Sequence, residues 1–199
     1  MADKYPDFET LAENESSGLD FGIRIRQAKT VFAIVAPHGG GIESGTSEIA
    51  DAIAGTEFSF YAFEGLKSKG NSDLHITSTR FDEAMCLTLI GRSGIILTIH
   101  GEHSDAEGVF VGGRDVRLRR RIGISLKSEG FEVGRHSDPD LQGIEPNNLC
   151  NRGESKKGVQ LEISRAVRLT MFSSLSRTGR KHPTARFRVF VAAIRNVLV

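Results

Sequence analysis

Two short segments of the sequence carry residue types that could bind a metal ion. Residues 37–43 read PHGGGIE and residues 100–103 read HGEH. A catalytic zinc site usually takes three protein ligands from His, Glu or Asp and leaves a fourth position open for water. His38, Glu43 and His100 supply such a set. Their spacing fits no single helix face, but the three glycines allow a loop to turn His38 and Glu43 toward one point.

Two other interpretations of these residues stay open at this level. The glycines could form a phosphate-binding loop or a simple turn, and His38 and His100 could be hydrogen-bonded histidines of the core. The phosphate-binding loop has weak support, because no Walker lysine-serine pair follows the glycines and GGGIES does not fit GxGxxG. Spacing alone therefore leaves a metal site and a structural cluster as alternatives.

Short apolar runs rich in Val, Ile and Phe alternate with longer segments of helical period. This pattern predicts an α/β domain with a largely parallel sheet. Three of the strands are continuous apolar runs, which is typical of strands covered by helices on both faces. We predict strands at 31–36, 58–63, 95–99, 131–133 and 159–163, and helices at 47–54, 81–90, 114–128, 164–172 and 184–199.

The polar residues named above follow these predicted strands. His38 and Glu43 come after the first strand, His100 comes after the third, and Glu162 lies at the end of the last. Ligand sites of open α/β sheets gather at the carboxyl ends of the strands. The sequence therefore predicts that these four side chains lie close together at one edge of the sheet.

Composition is that of one ordinary globular domain. The chain has 199 residues, 39% of them hydrophobic and 26% charged. We predict a single domain over residues 1–199, because no linker, repeat or low-complexity tract divides the chain. Cys86 and Cys150 lack CxxC spacing, which argues against a disulfide framework and against a thiolate metal site.

Net charge and hydropathy limit the partners that the chain is expected to have. The formal net charge of +1 gives no reason to expect nucleic acid, although residues 165–199 are basic and hold no carboxylate. The first residues lack the apolar core of a secretion signal, and nowhere do 18 apolar residues run together. We expect a protein made in the cytoplasm that does not enter the membrane.

Five segments, in order along the chain, resemble one known family. They read PHGGGIESGTSE, GNSDLHITSTRFDE, TIHG, VGG and NRGESKKGVQLEIS, within a match from about residue 4 to about residue 175. This set resembles the phage-type poly-γ-glutamate hydrolases. The resemblance implies a zinc carboxypeptidase-like fold, in which a mixed, largely parallel sheet lies between helices in a three-layer α/β/α arrangement, with one catalytic zinc.

The resemblance also implies roles for individual residues. His38, Glu43 and His100 would hold the zinc, and Glu162 would act as the general base that takes a proton from the attacking water. The alternative for Glu162 is a helix-terminal charge before the helix predicted at 164–172.

The substrate implied by the resemblance is a polymer of glutamates joined through their side-chain carboxyls, so each unit keeps a free α-carboxylate. Arg152 matches an arginine of the family and is predicted to bind such a carboxylate in bidentate fashion. Lys156 and Arg114 are weaker candidates that could equally be surface charges. His75 could support the metal ligands, donate to the substrate or replace one of the ligands, and His103 is expected to lie in the cleft.

Three functional hypotheses follow. The first is zinc-dependent, endo-acting hydrolysis of γ-glutamyl linkages in poly-γ-glutamate. The second keeps the zinc but changes the amide, to another acyl-amino acid or a cell-wall peptide. The third is a non-catalytic phage-associated protein that binds nucleic acid through residues 165–199; it is disfavoured because no stacking aromatics interleave with those arginines. The sequence leaves the oligomeric state open.

Overall fold

The computed structural model describes residues 3–199 and contains a seven-stranded mixed sheet. Its spatial order is β1-β3-β2-β4-β7-β5-β6. The strands are β1 (Phe21–Arg26), β2 (Phe32–Gly40), β3 (Ser59–Gly65), β4 (Ile95–Glu102), β5 (Val109–Gly112), β6 (Val133–Gly134) and β7 (Val159–Ser164). The α-helices are α1 (Phe8–Asn14), α2 (Thr46–Ala54), α3 (Ala84–Gly91), α4 (Val116–Ser128), α5 (Arg165–Met171) and α6 (Ala185–Leu198).

Most neighbouring strands in this sheet are parallel. Strands β3, β2, β4 and β7 run in the same direction side by side, whereas β1 and β5 are antiparallel to their neighbours β3 and β7. The carboxyl ends of the four parallel strands therefore meet at one edge. This arrangement confirms the predicted mixed, largely parallel sheet.

Helices cover both faces of the sheet, as predicted for a three-layer fold. On β2, Ile34 and Ala36 enter one core with α2, α4, α5 and α6, while Ala33 and Val35 enter a second core with α1 and α3. The alternation follows from the twofold period of a strand, and both sets are apolar because both faces are buried.

Helix α4 shows how the sequence specifies one of these layers. Leu118, Ile122 and Leu126 are buried at four-residue spacing, so one stripe of the helix packs on the core. The side chain of Asp115 caps its first turn by accepting a hydrogen bond from the backbone N–H of Leu118. Most of the other side chains of the helix are polar or cationic, although Val116 and Ile124 are also exposed.

Several element boundaries differ from the sequence-based prediction. Strand β2 continues through His38 to Gly40 rather than ending at residue 36, and the strand predicted at 131–133 is reduced to Val133–Gly134. The short elements β1, β5 and α1 were not predicted. The helix predicted at 81–90 begins at Ala84, because Glu83 accepts hydrogen bonds from the N–H groups of its first turn.

The basic C-terminal region contributes to packing. Arg180 pairs with Glu48, Arg195 pairs with Glu57, and the Arg186 guanidinium lies over the Phe131 ring at 3.6 Å from its centroid. Several of its cations therefore bind carboxylates and an aromatic ring of the same chain. None of the helices within residues 3–199 combines the length and the apolar character needed to cross a membrane.

Candidate metal centre

His38, Glu43 and His100 converge at the carboxyl-end edge of β2 and β4. His38 Nδ1 lies 3.1 Å from Glu43 Oε1 and 3.1 Å from His100 Nδ1. His100 Nδ1 lies 3.7 Å from Glu43 Oε2. All three side chains are buried. The predicted convergence of these residues is therefore present in the structure.

The glycine segment makes this convergence sterically possible. The pairing of β2 with β3 shifts register between Ala36 and Gly39, so the strand bends as it passes His38. Gly40 has φ of 64°, and a Cβ there would lie 2.5 Å from the Gly65 carbonyl oxygen. Only glycine fits this close, left-handed position. The Glu43 N–H then donates to the His38 carbonyl over 2.9 Å, which closes the turn.

The outer nitrogens of the two histidines are occupied by one neighbouring segment. His38 Nε2 lies 2.8 Å from the Ile76 carbonyl oxygen, and His100 Nε2 lies 3.3 Å from Ser78 Oγ. Because a carbonyl only accepts, His38 must carry its proton on Nε2 in the neutral form, which leaves the Nδ1 lone pair free. Contacts of this kind orient the histidines of metal sites and fix their tautomers.

Asp3 holds that neighbouring segment in place. Its buried carboxylate accepts hydrogen bonds from His75 Nδ1 at 2.7 Å and from the Thr77 N–H at 2.8 Å, and it also pairs with Arg80. The His75 ring stacks on His38 with 4.0 Å between centroids. The structure thus brings His75 to the cluster, through a residue near the start of the chain that sequence reasoning missed.

His38 and Glu43 could bind a metal ion together with either of two third ligands. In one set the third member is His100; in the other it is His75, and the three ligand atoms of that set lie within 4.8 Å of one another. Tetrahedral zinc with bonds of about 2.0–2.1 Å separates neighbouring ligand atoms by about 3.3 Å. The separations of 3.1, 3.1 and 3.7 Å in the His100 set fit this geometry. His75 Nε2 lies 4.0 Å from Glu43 Oε1 and fits better as an adjacent polar group.

The electrostatics of the cluster reflect its burial. Burial opposes charge on Glu43, but the neighbouring His38 outweighs it and lowers the Glu43 pKa. Burial likewise acts against protonation of His38, and the Glu43 carboxylate reverses this and raises the His38 pKa. Burial lowers the pKa of His100 to about 3. Without a metal, therefore, a proton on His38 partly neutralises Glu43, and a divalent cation could take that role.

Glu162 stands one strand away from His100. The two residues are register partners on β7 and β4, so their side chains leave the same face of the sheet. Burial raises the pKa of Glu162, and the carboxylates of Glu43 and Glu102 raise it further. Gln160 Nε2 donates to Glu162 Oε1 over 2.9 Å and orients it. Glu162 also lies three residues before the start of α5, so the alternative of a helix-terminal charge stays open beside the catalytic role.

Arg168 links the three backbone segments that carry these residues, and sequence reasoning missed it. Its buried guanidinium donates to the carbonyl oxygens of Ser44 at 2.7 Å, Glu102 at 2.8 Å and Ile163 at 3.0 Å. These carbonyls lie one or two residues beyond Glu43, His100 and Glu162 in the chain. An arginine on the inward stripe of α5, beside Val167 and Met171, was the available signal.

The backbones of the predicted cationic substrate residues lie outside the cluster. Arg152 donates to the Phe81 carbonyl oxygen over 2.6 Å, in a loop whose next residues contact the start of β4. Lys156 belongs to the same loop, and Arg114 follows the end of β5, which is antiparallel to β7. All three backbones therefore lie at the amino ends of β4 and β7, but the Arg152 guanidinium reaches Phe81, whose ring lies 6.4 Å from that of His38. His103 is exposed just beyond β4.

Comparison with known proteins identifies the family of this chain. The family model described as poly-gamma-glutamate hydrolase matches residues 5–193. The chain belongs to this family. The match includes every residue of the convergent cluster.

Relatives in Bacillus subtilis (strain 168) share a large part of the sequence. The SPbeta prophage-derived UPF0714 protein YoqZ is 41% identical over 180 residues, which are 90% of this chain and 65% of YoqZ. YmaC is 38% identical over 199 residues, with 98% of this chain and 84% of YmaC covered. This family member thus spans just under two thirds of the length of YoqZ.

Solved structures share the fold closely. A bacteriophage poly-gamma-glutamate hydrolase superposes with a TM-score of 0.95 at 34% identity, covering 98% of this chain and 96% of that one. A zinc-free apo structure of YndL gives 0.93 at 35% identity, covering 99% and 98%. An N-formylglutamate amidohydrolase from Ralstonia eutropha JMP134 gives 0.55 at 11% identity, covering 90% and 95%, which is a likeness of fold alone.

Proposed function

We propose that this family member is a zinc-dependent amide hydrolase that cleaves γ-glutamyl linkages of poly-γ-glutamate. The observation that carries the proposal is the convergence of His38 Nδ1, His100 Nδ1 and the Glu43 carboxylate within 3.1 to 3.7 Å. Family membership and the likeness to the bacteriophage hydrolase support the substrate class.

The residues present fit zinc in type as well as in distance. Imidazole nitrogens and a carboxylate are usual ligands of catalytic zinc, and three protein ligands leave a position for water or substrate. A related structure is described as a zinc-free form of YndL, which favours zinc over other divalent ions for this chain. When bound, zinc would act as a Lewis acid toward the amide carbonyl and would lower the pKa of the attacking water.

Glu162 is proposed as the group that moves the proton. The water oxygen attacks the amide carbon while the Glu162 carboxylate accepts the water proton; the C–N bond then breaks and Glu162 passes that proton to the leaving nitrogen. A carboxyl with a raised pKa suits both steps, because it can hold the proton between them. The hydrogen bond from Gln160 keeps its carboxyl group aimed.

His75 is proposed to face the substrate. Its Nδ1 is fixed by Asp3, so Nε2 is presented on the cluster side, 4.0 Å from Glu43 Oε1. From there it can hydrogen-bond a substrate carbonyl or carboxylate. Arg152, whose guanidinium reaches the carbonyl oxygen of Phe81 beside the cluster, stays the proposed partner of a substrate carboxylate. Lys156 and Arg114 are proposed as weaker contacts farther from the cleaved bond.

The proposal is tested by metal content and cleavage together. Purified wild type is expected to hold about one zinc per chain and to shorten poly-γ-glutamate in a chelator-sensitive way. His38→Ala should lose both properties, and His103→Ala should keep both because that side chain is exposed. Zinc without cleavage would redirect the substrate to other amides, and metal-free wild type would refute the proposed centre.

A further inference from the structure

A groove of about 480 Å³ runs between helix α4 and the sheet edge at β6. Four cationic side chains line it: Arg119, Arg120, Lys127 and Arg135. Arg120 and Lys127 lie seven residues apart on one face of α4, and Arg119 lies next to Arg120 on the neighbouring face, so three cations of this helix border the groove. Helix α4 and the edge strand β6 thus form the two walls of the groove.

Among the described residues, no ion pair neutralises the cations of this groove. No carboxylate lines it, and among residues 3–199 none of its four cations takes part in an ion pair. By contrast, Arg165, Arg180 and Arg195 each pair with a carboxylate. Helix α4 itself contains no acidic residue. A local positive potential of this kind attracts and retains polyanions.

Apolar side chains alternate with the cations along the same wall. Val116 is 62% exposed and Ile124 is 59% exposed, although both are large hydrophobic residues on a solvent-facing stripe. A ligand that combined carboxylates with short apolar stems would match both features. Nucleic acid would match the charge but not the apolar positions as well.

We infer that this groove binds the uncleaved part of a polyanionic γ-glutamyl chain, at a distance from the metal centre. The inference rests on the proposed function for its substrate class. Each unit of that polymer carries one free carboxylate and two methylene groups, which the cations and the apolar wall would respectively contact. Binding there would hold long substrates on the enzyme without adding any contact at the cleaved bond.

A short path connects the metal centre with the groove. Glu162 on β7, Phe110 on β5 and Gly134 on β6 are register partners in one row across the sheet edge. With strands about 4.8 Å apart, Gly134 lies about 10 Å from Glu162. Arg135 follows directly and lines the groove. Because β6 has only two residues, a polymer of several units can pass around this edge to reach α4.

The test compares two triple variants with the same change in charge. Arg120→Gln, Lys127→Gln and Arg135→Gln together remove groove cations but leave Arg119, which also donates to the Gly113 carbonyl oxygen. The matched control combines Arg117→Gln, Arg121→Gln and Lys181→Gln, three exposed cations outside the groove. Steady-state kinetics of the zinc-loaded enzymes would be measured on long polymer and on oligomers of two or three units.

The groove variant is expected to raise KM for long polymer about tenfold, from the loss of three exposed ion pairs, and to leave kcat and oligomer cleavage unchanged. The control should match wild type. Equal KM for both variants, or a change that includes the oligomers, would overturn the inference.

Direct binding separates this inference from the proposed function. Wild type and both triple variants, each carrying Glu162→Gln and loaded with zinc, would be titrated with long poly-γ-glutamate, with duplex DNA as competitor. Weaker binding only in the groove variant, with DNA a poor competitor, supports the groove even if wild type fails to cleave the polymer. Equal binding by all three proteins, or efficient displacement by DNA, would refute it.

Discussion

Replacing Glu162 with glutamine should abolish activity and yet stabilise the metal-free protein. The side chain is buried on β7, and burial together with Glu43 and Glu102 raises its pKa. A raised pKa means that the folded protein keeps a proton which the unfolded chain releases. Glutamine has nearly the same shape, can still accept from Gln160, and never ionises in either state.

The size of the effect depends on pH in a defined direction. Above the unfolded-state value of 4.5, folding retains a proton, so the free energy of unfolding of wild type falls as pH rises. The fall is about 1.4 kcal/mol per pH unit until the raised folded pKa is reached. The free energy of unfolding of Glu162→Gln does not fall in this way, because glutamine does not ionise. The stability gained by Glu162→Gln should therefore be close to zero at pH 4 and reach at most about 3.5 kcal/mol at pH 7.

Urea unfolding of both chelated proteins across pH 4–8 would measure this difference, and polymer cleavage by the zinc-loaded proteins would give the activity. Glu13→Gln is the control, since Glu13 is exposed on α1. Activity should drop by roughly 10²–10⁴-fold, as expected for loss of a general base. A variant less stable than wild type at pH 7, or one that keeps its activity, would refute the assigned environment or role.

Three further predictions concern the surroundings of the metal centre. Zinc binding should release a proton from His38, because burial lowers its pKa but Glu43 reverses this and raises it. Zinc affinity should therefore fall about tenfold per pH unit below that pKa. Calorimetry in buffers of different ionisation heat would detect the released proton. Arg168→Lys should destabilise the protein by about 2–4 kcal/mol in urea unfolding, because one ammonium cannot satisfy three buried carbonyls. Asp3→Asn should weaken zinc binding at least about tenfold in chelator competition, by loosening the segment that contacts both histidine ligands, whereas Asp73→Asn on the surface should not.

A different result would contradict each of these three predictions. Zinc affinity independent of pH between 5 and 7 would mean that His38 carries no proton in the metal-free state. Full stability of Arg168→Lys would show that water satisfies the freed carbonyls. Equal zinc affinity for the Asp3 and Asp73 variants would remove Asp3 from the support of the centre.

The sequence by itself determined the sheet and the convergent residues. Continuous apolar runs predicted the buried parallel strands, because both faces of those strands must be covered. Polar residues just after the strands predicted the grouping of His38, Glu43, His100 and Glu162, since the carboxyl ends of parallel strands share one edge. Both signals are local, because they depend only on the residues of a strand and on those that directly follow it.

Tertiary structure alone decided which other residues join the site. Asp3 contacts His75, which lies 72 positions away, and Arg168 contacts Ser44, which lies 124 positions away; no local pattern records such distances. Arg152 shows the same limit, because its backbone lies in the loop that precedes β7, and only the tertiary structure brings its guanidinium to the carbonyl oxygen of Phe81. The direction in which a loop enters a strand is fixed only when the sheet is assembled.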